Sequence, residues 1–165
     1  MYEMIETWAP IVISAGVLFY TAYSIHLQRV HNRLSVRPMI CVTVGDYEDQ
    51  LSVGLVNKGK GPGTIRRLRA GEQKMEDVDL FIDLLPKPPH PWSNFASTRN
   101  VSVLAPSETL ILFEINIDES DSQQTAFRDA MRHKLKTMKI EVEYEDLYKR
   151  KMPKSVRLLD WFGRS

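Results

Sequence analysis

One cysteine, Cys41, stands in 165 residues. An internal disulfide and a multi-cysteine zinc site are therefore excluded. The four histidines, His26, His31, His90 and His133, include no pair at metal-ligand spacing. Positive charge is not in excess, because 22 Lys+Arg face 21 Asp+Glu for a net charge of +1. That excludes nucleic-acid binding through bulk charge. Ser93, Ser97 and Ser107 lack a G-x-S-x-G setting. The stretch Asn57-Lys58-Gly59-Lys60-Gly61-Pro62-Gly63 lacks the Gly-Lys-Ser/Thr ending of a phosphate loop, so it reads as a turn between strands. Asp118, Glu119 and Asp121 form an acidic turn without the twelve-residue calcium pattern. There is no internal repeat. The chain reads as non-enzymatic, and neither a cofactor nor a metal is expected.

Charge is also missing from one place. The first 28 residues carry only Glu3 and Glu6, so all 22 cations and 19 of the 21 acids lie from Arg29 onward. Residues 7–28, TWAPIVISAGVLFYTAYSIHLQ, hold no Asp, Glu, Lys or Arg. At about 1.5 Å per residue, residues 8–27 as a helix span roughly 30 Å, the thickness of a bilayer's hydrocarbon core. A cleaved signal peptide would want a basic start, a short core and a small-residue cleavage site. A surface helix would want a polar face. The segment has none of these and is expected to be a single membrane span, with Pro10 in its first turn. Glu3 and Glu6 precede it, while Arg29, Arg33 and Arg37 follow it. The positive-inside rule then puts the N-terminus outside the inner (cell) membrane and the rest in the cytoplasm. A free Cys41 agrees with a reducing compartment.

The remaining chain shows period-two patterning. Alternating apolar residues predict strands over 39–44, 51–57, 64–70, 100–104, 109–117, 139–146 and 155–159. In 64–70, Ile65 and Leu68 fall out of phase, which predicts a bulge. In 139–146, Ile140, Val142 and Tyr144 face inward and Glu141, Glu143 and Glu145 outward. In 155–159, Val156 and Leu158 are expected to face inward. Residues 122–136 read as a helix with Phe127, Ala130, Met131 and Leu135 on one face, capped by Ser120, Asp121 or Ser122. Residues 76–85 read as a second, with Val78, Phe81, Ile82 and Leu85 together. The fold class expected is mainly β: a transmembrane helix, then an immunoglobulin-like antiparallel β-sandwich with one or two short inserted helices. A partly open β-barrel is the alternative. The division is 1–28 anchor, 29–37 basic juxtamembrane linker and 38–165 sandwich.

Two kinds of contact surface stand out. The proline-rich loop 86–98 carries Trp92 and Phe95, and the C-terminus carries Trp161 and Phe162. Exposed aromatics of this sort anchor protein interfaces, with a partner or with a second copy. The cations Arg29, Arg33, Arg37, Lys58, Lys60, Arg66, Arg67 and Arg69 are candidate contacts for anionic lipid or a small anion such as a nucleotide. Lys149, Arg150, Lys151, Lys154 and Arg157 form a further basic cluster, a candidate with Arg29, Arg33 and Arg37 for contact with anionic lipid headgroups.

Three short motifs taken together resemble a loose group of bacterial single-span proteins. They are Arg37-Pro38 after the span, the Asn57-x-Gly59-x-Gly61-Pro62 turn, and Tyr144-x-Asp146 at a late strand end. The resemblance implies an N-terminal helix on a β-sandwich and no catalytic residues. Some small bacterial membrane proteins with a β domain act in anti-phage defence. By that analogy, a membrane effector sensing an anionic or nucleotide signal is the alternative to a binding or assembly module.

Overall fold

A computed structural model describes residues 2–98 and 103–163. The chain divides into two units, Met1–Val36 and Arg37–Ser165.

The first unit is helix α1, Tyr2–Ser35, of 34 residues. Within it, Pro10–Ser35 is long and apolar enough to cross a membrane. Two details differ from expectation. Pro10 lies in the helix interior rather than the first turn, because residues 2–7 are helical too. The Glu6 carbonyl therefore has no N–H from residue 10 to accept. The basic segment is helix rather than linker as far as Ser35. Pro38 then disfavours helical geometry at Arg37. The polar side chains of the apolar run turn back on the backbone. Ser14 Oγ donates to the Pro10 carbonyl at 2.6 Å and Thr21 Oγ1 to that of Val17 at 2.7 Å.

The second unit is built of antiparallel strands: β1 (Ile40–Asp46), β2 (Gln50–Asn57), β3 (Gly63–Gly71), β4 (Glu76–Asp77), β5 (Val103–Leu104), β6 (Thr109–Asn116), β7 (Lys139–Asp146) and β8 (Ser155–Leu158). One sheet has the order β1-β2-β6. The other runs β4-β3-β7-β8, with β5 also on β3. Helix α2, Ser122–Leu135, precedes β7, and its N-cap is Asp121, whose carboxylate accepts the Gln123 N–H. Of the strand expected over 100–104, residues 100–102, including Val101, lie outside the described residues.

Both sheets contribute to one core. Ile40, Val42, Leu51, Val53, Leu55, Phe113 and Ile115 come from the first, and Ile65, Leu68, Ile140, Val142 and Tyr144 from the second. Two bulges shape it. In β3 the register slips between Ile65 and Arg67, as the broken phase predicted, and Arg66 is the extra residue. In β6 the register slips opposite Val53 and Gly54, so Leu112 is extra. Leu112 and Phe113 are both fully buried. Burying a leucine contributes about 2 kcal/mol, more than the roughly 1 kcal/mol of one ladder hydrogen bond, so the bulge is favoured.

Two expectations are corrected. Residues 76–85 are not an α-helix. Strand β4 pairs with Arg69 and Ala70, the Val78 N–H donates to the Leu68 carbonyl, and only Phe81–Leu84 forms a 3-10 turn. The edge of β3 captures the backbone, yet Val78, Phe81 and Leu85 still reach the core. In β8 the phase is reversed: Val156 and Leu158 are 49% and 58% exposed. They stand across from Glu141 and Lys139, on the outer face. The alternate residue Arg157 turns the other way and donates to the Val42 carbonyl at 2.6 Å, which shields the outer edge of β1.

Candidate functional site

Asn57, the last residue of β2, is fully buried. Its Oδ1 accepts the N–H of Met39 at 3.1 Å and of Gly59 at 3.0 Å. Its Nδ2 donates to the carbonyls of Gly61 at 2.8 Å and Leu104 at 3.0 Å. Its own N–H donates to Glu108 and its carbonyl accepts from Ser107. A buried amide with every group paired fixes local geometry. Here it fastens the entry segment 37–39, the turn 57–63 and the turn 104–108 together.

The other two motifs reach the same place. The Lys60 N–H donates to the Arg37 carbonyl and the Lys58 N–H to that of Met39. Gly63 pairs with Asp146 in the β3–β7 ladder. The Asp146 carboxylate, buried, accepts the N–H groups of Tyr148 at 2.8 Å and Arg150 at 2.9 Å and so shapes the turn after β7. Burial pushes the pKa of the Tyr144 hydroxyl up. Ser107 and Lys149 are the non-glycine residues with positive φ among those described, at 65° and 60°, and both sit in these turns. Arg37-Pro38, Asn57–Pro62 and Tyr144–Asp146 are thus parts of one end of the domain, where the chain enters it.

The same turns hold exposed cations. Arg37, Lys58, Lys60, Lys149, Arg150 and Lys151 are all exposed, and none forms an ion pair among the described residues. Arg37 reaches only the Met152 sulfur, at 4.0 Å, and Arg150 lies over the Tyr148 ring. Beside them, an open groove of about 630 Å³ runs past Met39, Cys41, Met152 and Val156, and Cys41 is half-buried in it.

The other predicted cations are differently placed. Arg66 is paired with Glu145. Arg67 lies 3.6 Å from Asp77, and Arg69 lies 3.6 Å from Asp77 and 3.7 Å from Glu141. Lys154 completes the row, at 2.8 Å from Glu141 and 2.7 Å from Glu143. The hydrogen bond from Lys154 holds Glu141 and Glu143 below the usual carboxylate range, and that from Arg66 does the same for Glu145. The outer face of β3, β7 and β8 is therefore neutralised within itself. Arg29 and Arg33 belong to α1, and both are exposed there.

The aromatic candidates split as well. Trp92 packs edge-on against Phe113 at 5.7 Å and Phe127 at 6.5 Å, so it is half-buried against the core rather than free for a partner. Phe95 is 48% exposed. Phe162 is buried in the core, while its neighbour Trp161 is 43% exposed. The loop backbone also covers an edge, since Asn94 exchanges hydrogen bonds with Glu114 of β6. Among the described residues no group of His, Cys, Asp or Glu is arranged to hold a metal ion.

The sequence groups Lys149, Arg150 and Lys151 with Arg37 by charge alone, and does not place them beside Lys58 and Lys60. About ninety residues lie between them and Lys58, and nothing local reports the convergence. The sequence marks Asn57 as part of a turn, and no local pattern marks its side chain as buried. No protein-family model and no curated protein matches the chain.

Proposed function

We propose that the chain is a single-pass membrane protein whose β domain is a non-enzymatic binding or assembly module. The span occupies residues 8–27, the N-terminus lies outside the cell membrane, and the domain lies in the cytoplasm. Its two sheets are the layers of an immunoglobulin-like sandwich. Its contact surface for a protein partner, or for a second copy, includes Phe95 and Trp161.

The observation that carries the proposal is the exposed apolar course of α1. Ile11, Leu18 and Phe19 are 53%, 71% and 79% exposed, within a stretch of 26 residues long enough to span. Apolar surface of that extent calls for lipid or other helices around it. Orientation is supported by Arg29 and Arg33 after the apolar run against Glu3 and Glu6 before it. The sandwich is supported by a core drawn from both sheets. A sensor of a small anion ranks second, because Arg66, Arg67 and Arg69 already face carboxylates.

The test uses the full chain in cells. It should resist alkaline carbonate extraction from membranes, and external protease should spare the domain. A photoreactive residue at Phe95 or Trp161 should yield a discrete adduct, at twice the chain mass for self-association. Extraction by carbonate overturns the anchor, digestion from outside reverses the orientation, and absence of any adduct from both positions removes the contact surface.

A further inference from the structure

We propose that the end of the β domain carrying Arg37, Lys58, Lys60, Lys149, Arg150 and Lys151 is a docking face for anionic phospholipid headgroups. This rests on the anchored reading above. Three stretches distant in sequence supply the six cations, and backbone bonds join them: Lys60 to Arg37, and Gly63 to Asp146.

The acids of this end are already engaged. Glu145 holds Arg66, Asp146 is buried on two backbone N–H groups, and Glu108 accepts the Ala105 N–H. The opposite ends of the strands carry Asp46, Glu48, Asp49, Glu72, Asp118, Glu119 and Asp121 together with Arg128, Arg132, Lys134 and Lys139. Arg128, Arg132 and Lys134 there stand against Glu48, Asp46 and Glu72, whereas the six cations of the first end form no ion pair among the described residues, and it is that first end that follows α1, with Arg37 two residues after Ser35.

The chemistry of the cations selects the source of the phosphate. Bidentate recognition of a single phosphate is the geometry of arginine's planar fork, whereas lysine acts as a point charge. Here four of the six are lysines, each a mobile point charge on an exposed turn. Such charges suit a fluid surface of many headgroups, whose potential acts within about one Debye length, roughly 8 Å at physiological salt. Asn57 and the two positive-φ turns hold the lysine backbones in one place, so the charges act together.

The test reconstitutes the full chain into vesicles of phosphatidylcholine alone or mixed with phosphatidylglycerol. Surface lysines are acylated with a water-soluble ester and quantified by mass spectrometry. Lys58, Lys60, Lys149 and Lys151 should be labelled about fivefold less in the anionic vesicles, the bias that surface attraction gives one cation. High salt should restore their labelling. Lys74 and Lys87, exposed elsewhere, should not change. Equal labelling of the four lysines in both vesicles overturns the docking face and leaves the anchor standing, provided the chain floats with both. A chain that floats with neither overturns the anchor, and the face with it. Protection by free glycerophosphate on phosphatidylcholine vesicles overturns the lipid assignment in favour of a soluble phosphate.

Discussion

A Cβ placed on Gly59 would lie 2.4 Å from the carbonyl oxygen of Arg37. It would lie equally close to the Met39 nitrogen. Both are backbone atoms, so no rotamer change relieves the overlap. Gly59→Ala should push the entry segment off the 57–63 turn and break the Lys58–Met39 and Lys60–Arg37 hydrogen bonds. Two bonds at about 1 kcal/mol each put the loss near 2 kcal/mol. Calorimetry should show a fall in melting temperature, and trypsin should cut after Lys58 or Lys60 sooner than in the wild type. An unchanged melting point would show that the clamp does not hold.

Asn57 separates hydrogen bonding from volume. Asn57→Ala leaves the Gly61 and Leu104 carbonyls without their buried donor. An unsatisfied buried group costs about 1–3 kcal/mol, so the variant should lose about 3 kcal/mol in denaturant titration. Asn57→Asp keeps the acceptor for Met39 and Gly59 but turns a carboxylate oxygen toward two carbonyls. It should be less stable still, and more so above the pKa of the new acid than below it. Equal stability of the two variants would contradict the assigned orientation of the amide.

Trp92 and Phe95 stand three residues apart in one loop and should behave oppositely. Trp92→Ala removes a ring wedged against Phe113 and Phe127. Full aromatic truncation in a core costs about 3–5 kcal/mol, and for a half-buried ring about 2–3 kcal/mol is expected. Phe95 is exposed, so Phe95→Ala should change stability by less than about 0.5 kcal/mol. Urea midpoints measure both. If Phe95→Ala also abolishes the adduct formed from a photoreactive residue at Trp161, the interface and the fold are separated within the loop.

The contrast shows where the sequence is transparent. Alternation marks Leu51, Val53 and Leu55, and Ile140, Val142 and Tyr144, because a one-residue slip would turn a whole apolar face to water. The phase break between Ile65 and Leu68 marks the β3 bulge for the same reason. Strand β8 is too short for the rule. Four residues give two apolar positions, and an arginine whose head bonds the Val42 carbonyl takes the inward place that Val156 was expected to fill. The segment 76–85 has helical spacing, but hydrogen bonds from β3, distant in sequence, outweigh it. The basic residues are visible in the sequence, but their convergence is not. They lie in turns, which carry no period, and the Asn57 network and the β3–β7 ladder bring them together.

The outer row of charges makes a prediction in pH. Hydrogen bonds from Lys154 and Arg66 hold the folded-state pKa values of Glu141, Glu143 and Glu145 below the usual carboxylate range. A carboxylate with a depressed folded pKa binds protons more weakly folded than unfolded. Its contribution is present above the unfolded value and is lost as pH falls through the folded one. The melting temperature of the wild type should therefore hold through the neutral range and drop on acidification below about 4.5. Glu72, Asp118 and Asp121 are depressed as well, so the slope of the wild type alone does not single out the row. Lys154→Met does, because Lys154 donates to both Glu141 and Glu143 while the other three acids keep their own partners. The gap in melting temperature between the two proteins should be widest near neutral pH. It should close on acidification as both glutamates protonate, and shrink in high salt because Lys154 is half exposed to solvent. A gap that stays constant across the titration would mean that Lys154 acts through the packing of its stem and not through charge.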